Sequence, residues 1–239
     1  MSVQDAILAY INQKQTAAAL GRALLTHMDW HVPRPPGATA PTIIIADAAL
    51  TPAVWAFSSA EAYQNACRQY TEEAIGATAA VGSIVSIIAD LDPKIACWYV
   101  DPGSTIALRV LADDLSVVRK IARGMLVEAA IAERRYASAR EFESYVVPYF
   151  GVLGQGHQVI TLPSAKGNMV PAFSTPDAVE AFLATGSDDD RKNVNLVEVD
   201  GSTLFGEVGP MASGVLLNPA GPRTFGLPLA MCRSIASGG

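Results

Sequence analysis

The chain has 239 residues, half of them hydrophobic and 17% charged, which is a globular composition long enough for one or two domains. Its net charge of −6 argues against a general nucleic-acid binder, and no apolar run approaches the ~18 residues of a membrane helix. Cys67, Cys97 and Cys232 are odd in number and widely spaced, so no disulfide framework is implied; Met1–Asp5 lacks a basic signal-peptide start, and a cytoplasmic protein is expected.

Residues 3–27 carry apolar residues at helical spacing (Val3, Ile7, Leu8, Ile11, then Leu20, Leu24, Leu25), with a turn expected near Gln13–Thr16. Trp30–Pro33 reads as a short strand, Pro33–Gly37 as a loop, and Thr42–Ala46 and Ala53–Phe57 as strands. Ser58-x-x-Glu61 is a capping-box signature for the next helix. Thr78–Val81 is a strand candidate, Ser83–Leu91 a short helix, and Ala96–Val100 and Ile106–Leu111 further strands. Leu115, Val118, Ala122, Met125 and Ala129 share one helical face, and Ser138–Tyr149 reads as a second helix. A tight hairpin follows at Pro163–Asn168. The helix after Ala172-Phe173-Ser174 starts either at Ser174-x-x-Asp177 or at Thr175 with Pro176 in its first position. Val194–Val199, Gly214–Leu217 and Thr224–Leu229 are strands, with a helix over Ser202–Val208.

The second half repeats the first. Ala56-Phe57-Ser58 recurs 116 residues later as Ala172-Phe173-Ser174, and Asp101-Pro102 recurs 117 residues later as Asn218-Pro219. Pairing His27 with His157 and Pro33 with Pro163 gives an offset of 130 upstream, which implies a 14-residue insertion in the first copy. The expected fold is α+β: two repeated units, residues 1–112 and 113–239, each a small mixed or antiparallel sheet packed with helices and joined by a helical connector.

The second copy reads Val159-Ile160-Thr161-Leu162-Pro163, then Met169-Val170-Pro171-Ala172-Phe173-Ser174-Thr175, then Leu216-Leu217-Asn218-Pro219-Ala220-Gly221-Pro222. This resembles the SseB N-terminal domain family, with its strand ending in Pro, its strand-to-helix step and its late Asn-Pro turn. Val54–Ser59 and Val100–Ser104 resemble a divergent copy of the same motifs. The resemblance implies a bacterial protein of α+β fold, from a family named for enhanced serine sensitivity, with no agreed biochemical activity and no catalytic residues to carry over. Asp101 departs from the family's Asn, which puts in doubt any role there that needs an amide.

Chemistry-bearing patterns are sparse. Among the three histidines (His27, His31, His157) and the cysteines there is no HxH, HExxH or CxxC spacing, so neither a metal nor a cofactor is expected. There is no GxSxG elbow, and Gly201-x4-Gly206 lacks the Lys of a phosphate loop. The turns at Asp101-Pro102-Gly103 and Asn218-Pro219-Ala220-Gly221 read either as tight structural turns or as recognition loops. Trp30 and Trp55 read as core residues or as interface anchors, and His31 has no mate in the second copy.

The leading expectation is a non-enzymatic adaptor or immunity-type protein that binds a protein partner, compatible with a secretion system. Its candidate interaction residues are Asp101, Pro102, Gly103, Asn218, Pro219, Gly221, Trp30 and His31, together with the Pro33–Gly37 loop. Neither nucleic acid nor membrane is expected as partner, and a homodimer is open. The alternative is a small-molecule binder or hydrolase-like enzyme with a site in a groove between the units, using His31, Asp101 and Asn218.

Overall fold

Two short helices open the chain, α1 (Val3–Ile11) and α2 (Ala17–Leu25), divided at the expected turn. Ser2 and Asp5 form a reciprocal capping box on α1, and Thr16 caps α2 by accepting from the Ala19 N–H. The computed structural model describes residues 1–34, 38, 40–41, 43–45, 51–71, 75–141, 149–153, 158–187, 194–208, 212–221 and 223–238. They form an α+β fold that divides into two units, Met1–Ala122 and Arg123–Gly239.

In the first unit, β2 (Ile43–Ile45), β3 (Pro52–Ala56), β5 (Cys97–Val100) and β6 (Leu108–Leu111) form a sheet in that order. A separate antiparallel pair joins β1 (Trp30–Pro33) to β4 (Thr78–Gly82). The two meet at His31 and Phe57, whose backbones exchange hydrogen bonds of 2.8 and 2.9 Å. β3 and β5 are parallel, so α3 (Ala60–Tyr70), β4 and α4 (Val85–Ala89) make the crossover between them.

Alternation along these strands sorts the core into two layers. Ala53, Trp55, Phe57 and Cys97 pack against Ala66 of α3. Trp98 instead packs against Trp30 with ring centroids 5.4 Å apart and tilted by 58°, and Trp30 donates its indole N–H to the Leu24 carbonyl of α2.

The second unit repeats this path. Its sheet runs β11 (Val194–Glu198), β7 (Tyr149–Leu153), β10 (Gly167–Phe173), β12 (Gly214–Leu217), β13 (Phe225–Pro228), matching β4, β1, β3, β5 and β6. β10 and β12 are parallel and joined through α7 (Pro176–Thr185), β11 and α8 (Gly201–Glu207). Phe173 packs against Ala178 and Val179 of α7, as Phe57 packs on the α3 side of the first unit. β8 (Gln158–Val159) pairs with β7, and β9 (Leu162–Ser164) forms the expected hairpin with β10.

Helix α5 (Ala112–Ala132) crosses the boundary. Leu115 and Val118 have counterparts 117 residues later in Cys232 and Ile235 of α9 (Leu229–Ser237), a terminal helix with no forecast in the sequence. Val127, Ala130 and Ile131 have counterparts 124 residues earlier in Val3, Ala6 and Ile7 of α1. All ten are buried. The connector is therefore the last helix of one unit continued into the first helix of the next. This moves the boundary from residue 112 into the middle of α5, between Ala122 and Arg123.

Two further expectations are corrected. Tyr149 belongs to a strand, and the helix before it, α6, spans Tyr136–Glu141, residues 142–148 lying outside the described residues. His157 also lies outside them. The offset of 130 fails at Pro33 and Pro163: Pro33 lies in β1, whereas Pro163 lies in β9, the strand that hairpins onto β10 as β2 does onto β3. His31 pairs with Phe57 as Tyr149 pairs with Phe173; Tyr149 lies 118 residues after His31 and Phe173 lies 116 after Phe57, so the 14-residue insertion shrinks to two residues.

Candidate binding site at the Asp-Pro and Asn-Pro turns

β3 ends at Ala56 and β5 at Val100, side by side and parallel, so the Asp-Pro turn falls beside the start of α3. Asp101 enters the left-handed region with φ of 49°, a conformation Asp and Asn tolerate better than most residues. Its N–H continues the strand pairing by donating to the Ala56 carbonyl at 2.9 Å, and its own carbonyl accepts from the Ser104 N–H at 3.1 Å. Its buried carboxylate then takes both donors of one residue. The Ser58 N–H donates to Oδ1 at 2.6 Å and the Ser58 hydroxyl to Oδ2 at 2.7 Å. Ser58 is thereby withdrawn from the expected capping box; the N-cap is Ser59, which accepts from the Ala62 N–H.

The second unit builds the same turn with an amide. Asn218 has φ of 53°, its N–H donates to the Ala172 carbonyl at 2.7 Å, and its Oδ1 accepts from the Ser174 N–H at 2.8 Å. The third partner comes from α5. Glu128 Oε1 accepts from the Ser174 hydroxyl at 2.7 Å and from the Asn218 amide at 2.9 Å. Glu128, Ser174, Thr175 and Asn218 are all buried. Gly124 lets α5 come this close, since a Cβ there would lie 2.2 Å from the Ser174 carbonyl oxygen. Thr175 is the N-cap residue of α7 with Pro176 after it, the second of the two expected starts.

The first-unit counterpart of Glu128 is Gln4, one residue after Val3 as Glu128 is one after Val127. Gln4 is exposed, and the space over the lock is a cleft of about 400 Å³ lined by Gln4, Ser58, Glu61, Arg68, Asp101 and Ser104, among others. Burial pushes the Asp101 carboxyl above its ordinary range, against the opposing pull of the two Ser58 hydrogen bonds and the nearby His27. The Ser104 hydroxyl is buried and has no hydrogen-bond partner among the described residues. Gln69 of α3 pins the turn by donating to the Gly103 carbonyl at 3.1 Å.

The remaining expected residues are dispersed. Trp30 is fully buried between His27 and Trp98, which removes it as an interface anchor. Trp55 is buried as well. His31 is half-buried, its backbone occupied by Phe57. His27 Nε2 lies 2.8 Å from the Ser58 carbonyl oxygen. Asp101 and Asn218 turn their side chains inward, and Pro102 and Pro219 are buried, leaving Gly103 and Gly221 half-buried at the turns. Of the Pro33–Gly37 loop, residues 35–37 lie outside the described residues. No local motif marks Gln4 and Glu128; the signal in the sequence is the shared Val-x-x-Ala-Ile of α1 and α5.

Among the described residues no group of three His, Cys, Asp or Glu could hold a metal ion, and no helix is long and apolar enough to cross a membrane. No family model matches this chain, and neither a curated protein nor a solved structure matches it significantly.

Proposed function

We propose that this chain is a non-enzymatic, SseB-like binding protein of the adaptor or immunity type, and that its first unit carries the recognition surface. The observation that supports this is the use of the two serines at the strand-to-helix steps. Each hydroxyl donates to a fixed acceptor within the fold, and the nearest imidazole, His27, reaches the Ser58 carbonyl rather than its hydroxyl. The acceptors are the Asp101 and Glu128 carboxylates, each of which also holds a second donor of its turn, and Ser174 is buried away from any substrate. The first-unit cleft lies where, among the described residues of the second unit, Glu128 occupies the place at the matching turn.

The test is affinity capture of the full tagged chain from its native host, followed by cross-linking and mass spectrometry. A stoichiometric partner cross-linked to residues around Ser59, Arg68 and Thr105 is expected. Recovery of no partner, or cross-links confined to the second unit, overturns the reading.

A further inference from the structure

Donor and acceptor roles are exchanged between the two turns. In the second unit, the acid sits on the helix (Glu128) and the amide on the turn (Asn218), so the amide N–H₂ finds a carboxylate oxygen at 2.9 Å. In the first unit, the acid sits on the turn (Asp101) and the amide on the helix (Gln4). A carboxylate offers acceptors only, two lone pairs on each oxygen. Ser58 uses one position on Oδ1 and one on Oδ2. The group that completes this lock must therefore be a donor, where in the second unit it is an acceptor.

The space for that group is present. Gln4 is exposed, and the cleft of about 400 Å³ lies within the range of small-ligand pockets. Its floor holds the buried Asp101 carboxylate and the buried, unpartnered Ser104 hydroxyl, and Glu61 adds a second negative charge at its wall. Among the described residues, Arg68 is the one cation lining it, seven residues beyond Glu61 on α3. A buried carboxylate is costly without a charged partner, and a bound cation would offset that cost.

We propose that the first-unit cleft binds a cationic N–H donor, an ammonium or guanidinium group, seated on Asp101 with Ser104 as a second contact. The second unit shows the same place closed by its own chain, so the first unit is the open copy of a lock that an outside group completes. The proposal rests on the reading that the first unit carries the recognition surface, and it gives the chemistry the surface would read: a lysine or arginine side chain of a protein partner, or a free amine.

The experiment is two-dimensional NMR of the full chain titrated with n-butylamine, methylguanidine and Nα-acetyl-lysine methylamide, with acetate as the control. Saturable shifts at the Ser58, Ser59, Gly103 and Ser104 amides are expected with the cations and none with acetate. Asp101→Asn should weaken binding by about tenfold or more, the loss of a charge-assisted hydrogen bond. Because Asp101→Asn could disturb the turn, the double variant Gln4→Glu/Asp101→Asn serves as the second arm. It rebuilds the second unit's arrangement in the first, and it should fold and lose cation binding.

Absence of saturable shifts, or shifts that survive in the double variant, overturns the proposal. A captured partner that free amine does not displace, and that binds the double variant unchanged, overturns the cleft while leaving the adaptor reading in place. Cation binding without any captured partner supports the cleft with a free amine as its ligand and counts against the adaptor.

Discussion

Asp101 holds Ser58 by both of its donors, the backbone N–H at 2.6 Å and the hydroxyl at 2.7 Å, across 43 residues of sequence. The bond ties the end of one parallel strand to the start of the helix that follows its neighbour. Asn218 holds the Ser174 N–H in the same way, with Glu128 as the extra member.

The two serines should differ in their cost of removal. Ser174→Ala strips the buried Glu128 carboxylate of a donor, and about 2–3 kcal/mol of stability should go with it. Ser58→Ala should cost about 1 kcal/mol, since water in the cleft can replace the lost hydroxyl at Asp101. Urea unfolding of both variants measures the difference; equal losses would show that the first-unit lock is sealed too.

Asp101 should leave a mark on the pH dependence of stability. Burial raises its folded value above the unfolded one, so the folded state holds this proton more tightly. The stability it contributes is complete below the unfolded value near 4, and is lost as pH rises through the raised folded value. Asp101→Asn removes that titration. Its stability relative to the natural chain should therefore improve as pH rises from about 3 to about 7. Denaturant midpoints for both proteins across that range give the answer, and parallel curves would refute it.

Gly124 is the position where α5 can least accept a side chain. A methyl group would meet the Ser174 carbonyl oxygen at 2.2 Å and Thr175 Cγ2 at 2.4 Å, forcing helix and turn apart. Gly124→Ala should cost about 3 kcal/mol despite alanine's better helix propensity. Gly206→Ala is the control, since nothing lies within 4 Å of a Cβ there. Thermal unfolding of the pair separates packing from propensity.

The three thiols should label in a fixed order. Cys67 is half-buried on α3, Cys97 and Cys232 are buried, and burial pushes the Cys232 thiol up. A thiol-specific reagent under native conditions should modify Cys67 first, with Cys97 and Cys232 reacting only on unfolding. Peptide mapping of the singly labelled protein checks the site.

The sequence made much of this legible, in proportion to how local each signal is. Ala-Phe-Ser and the Asp/Asn-Pro steps survive in both copies because they sit at strand ends and turns, where backbone geometry restricts the residue. The pairing of His31 with Phe57 and of Tyr149 with Phe173 was not legible, because a strand partner is set by register and burial, and His and Tyr share no identity. Single prolines and histidines then offered a false alignment. Ser58 misled for the opposite reason: its local neighbour Glu61 completes a capping pattern, yet the stronger partner is Asp101, far along the chain. The exchange of acid and amide between Gln4/Asp101 and Glu128/Asn218 is written in the sequence, but it becomes visible only when the two helices are matched by their buried faces.

The seam inside α5 leaves no loop at which to part the two halves. A fragment ending at Leu111 would lose Leu115 and Val118, the latter packed where a side chain on Gly21 would meet it at 3.0 Å. A fragment starting at Ala112 would carry those same apolar residues with nothing from its own unit to cover them. A genetic exchange that moved one copy alone would have to break within a turn of helix. The two copies are therefore expected to descend as one block, free to diverge in charge, as Asp101 and Asn218 have, while keeping a common spine.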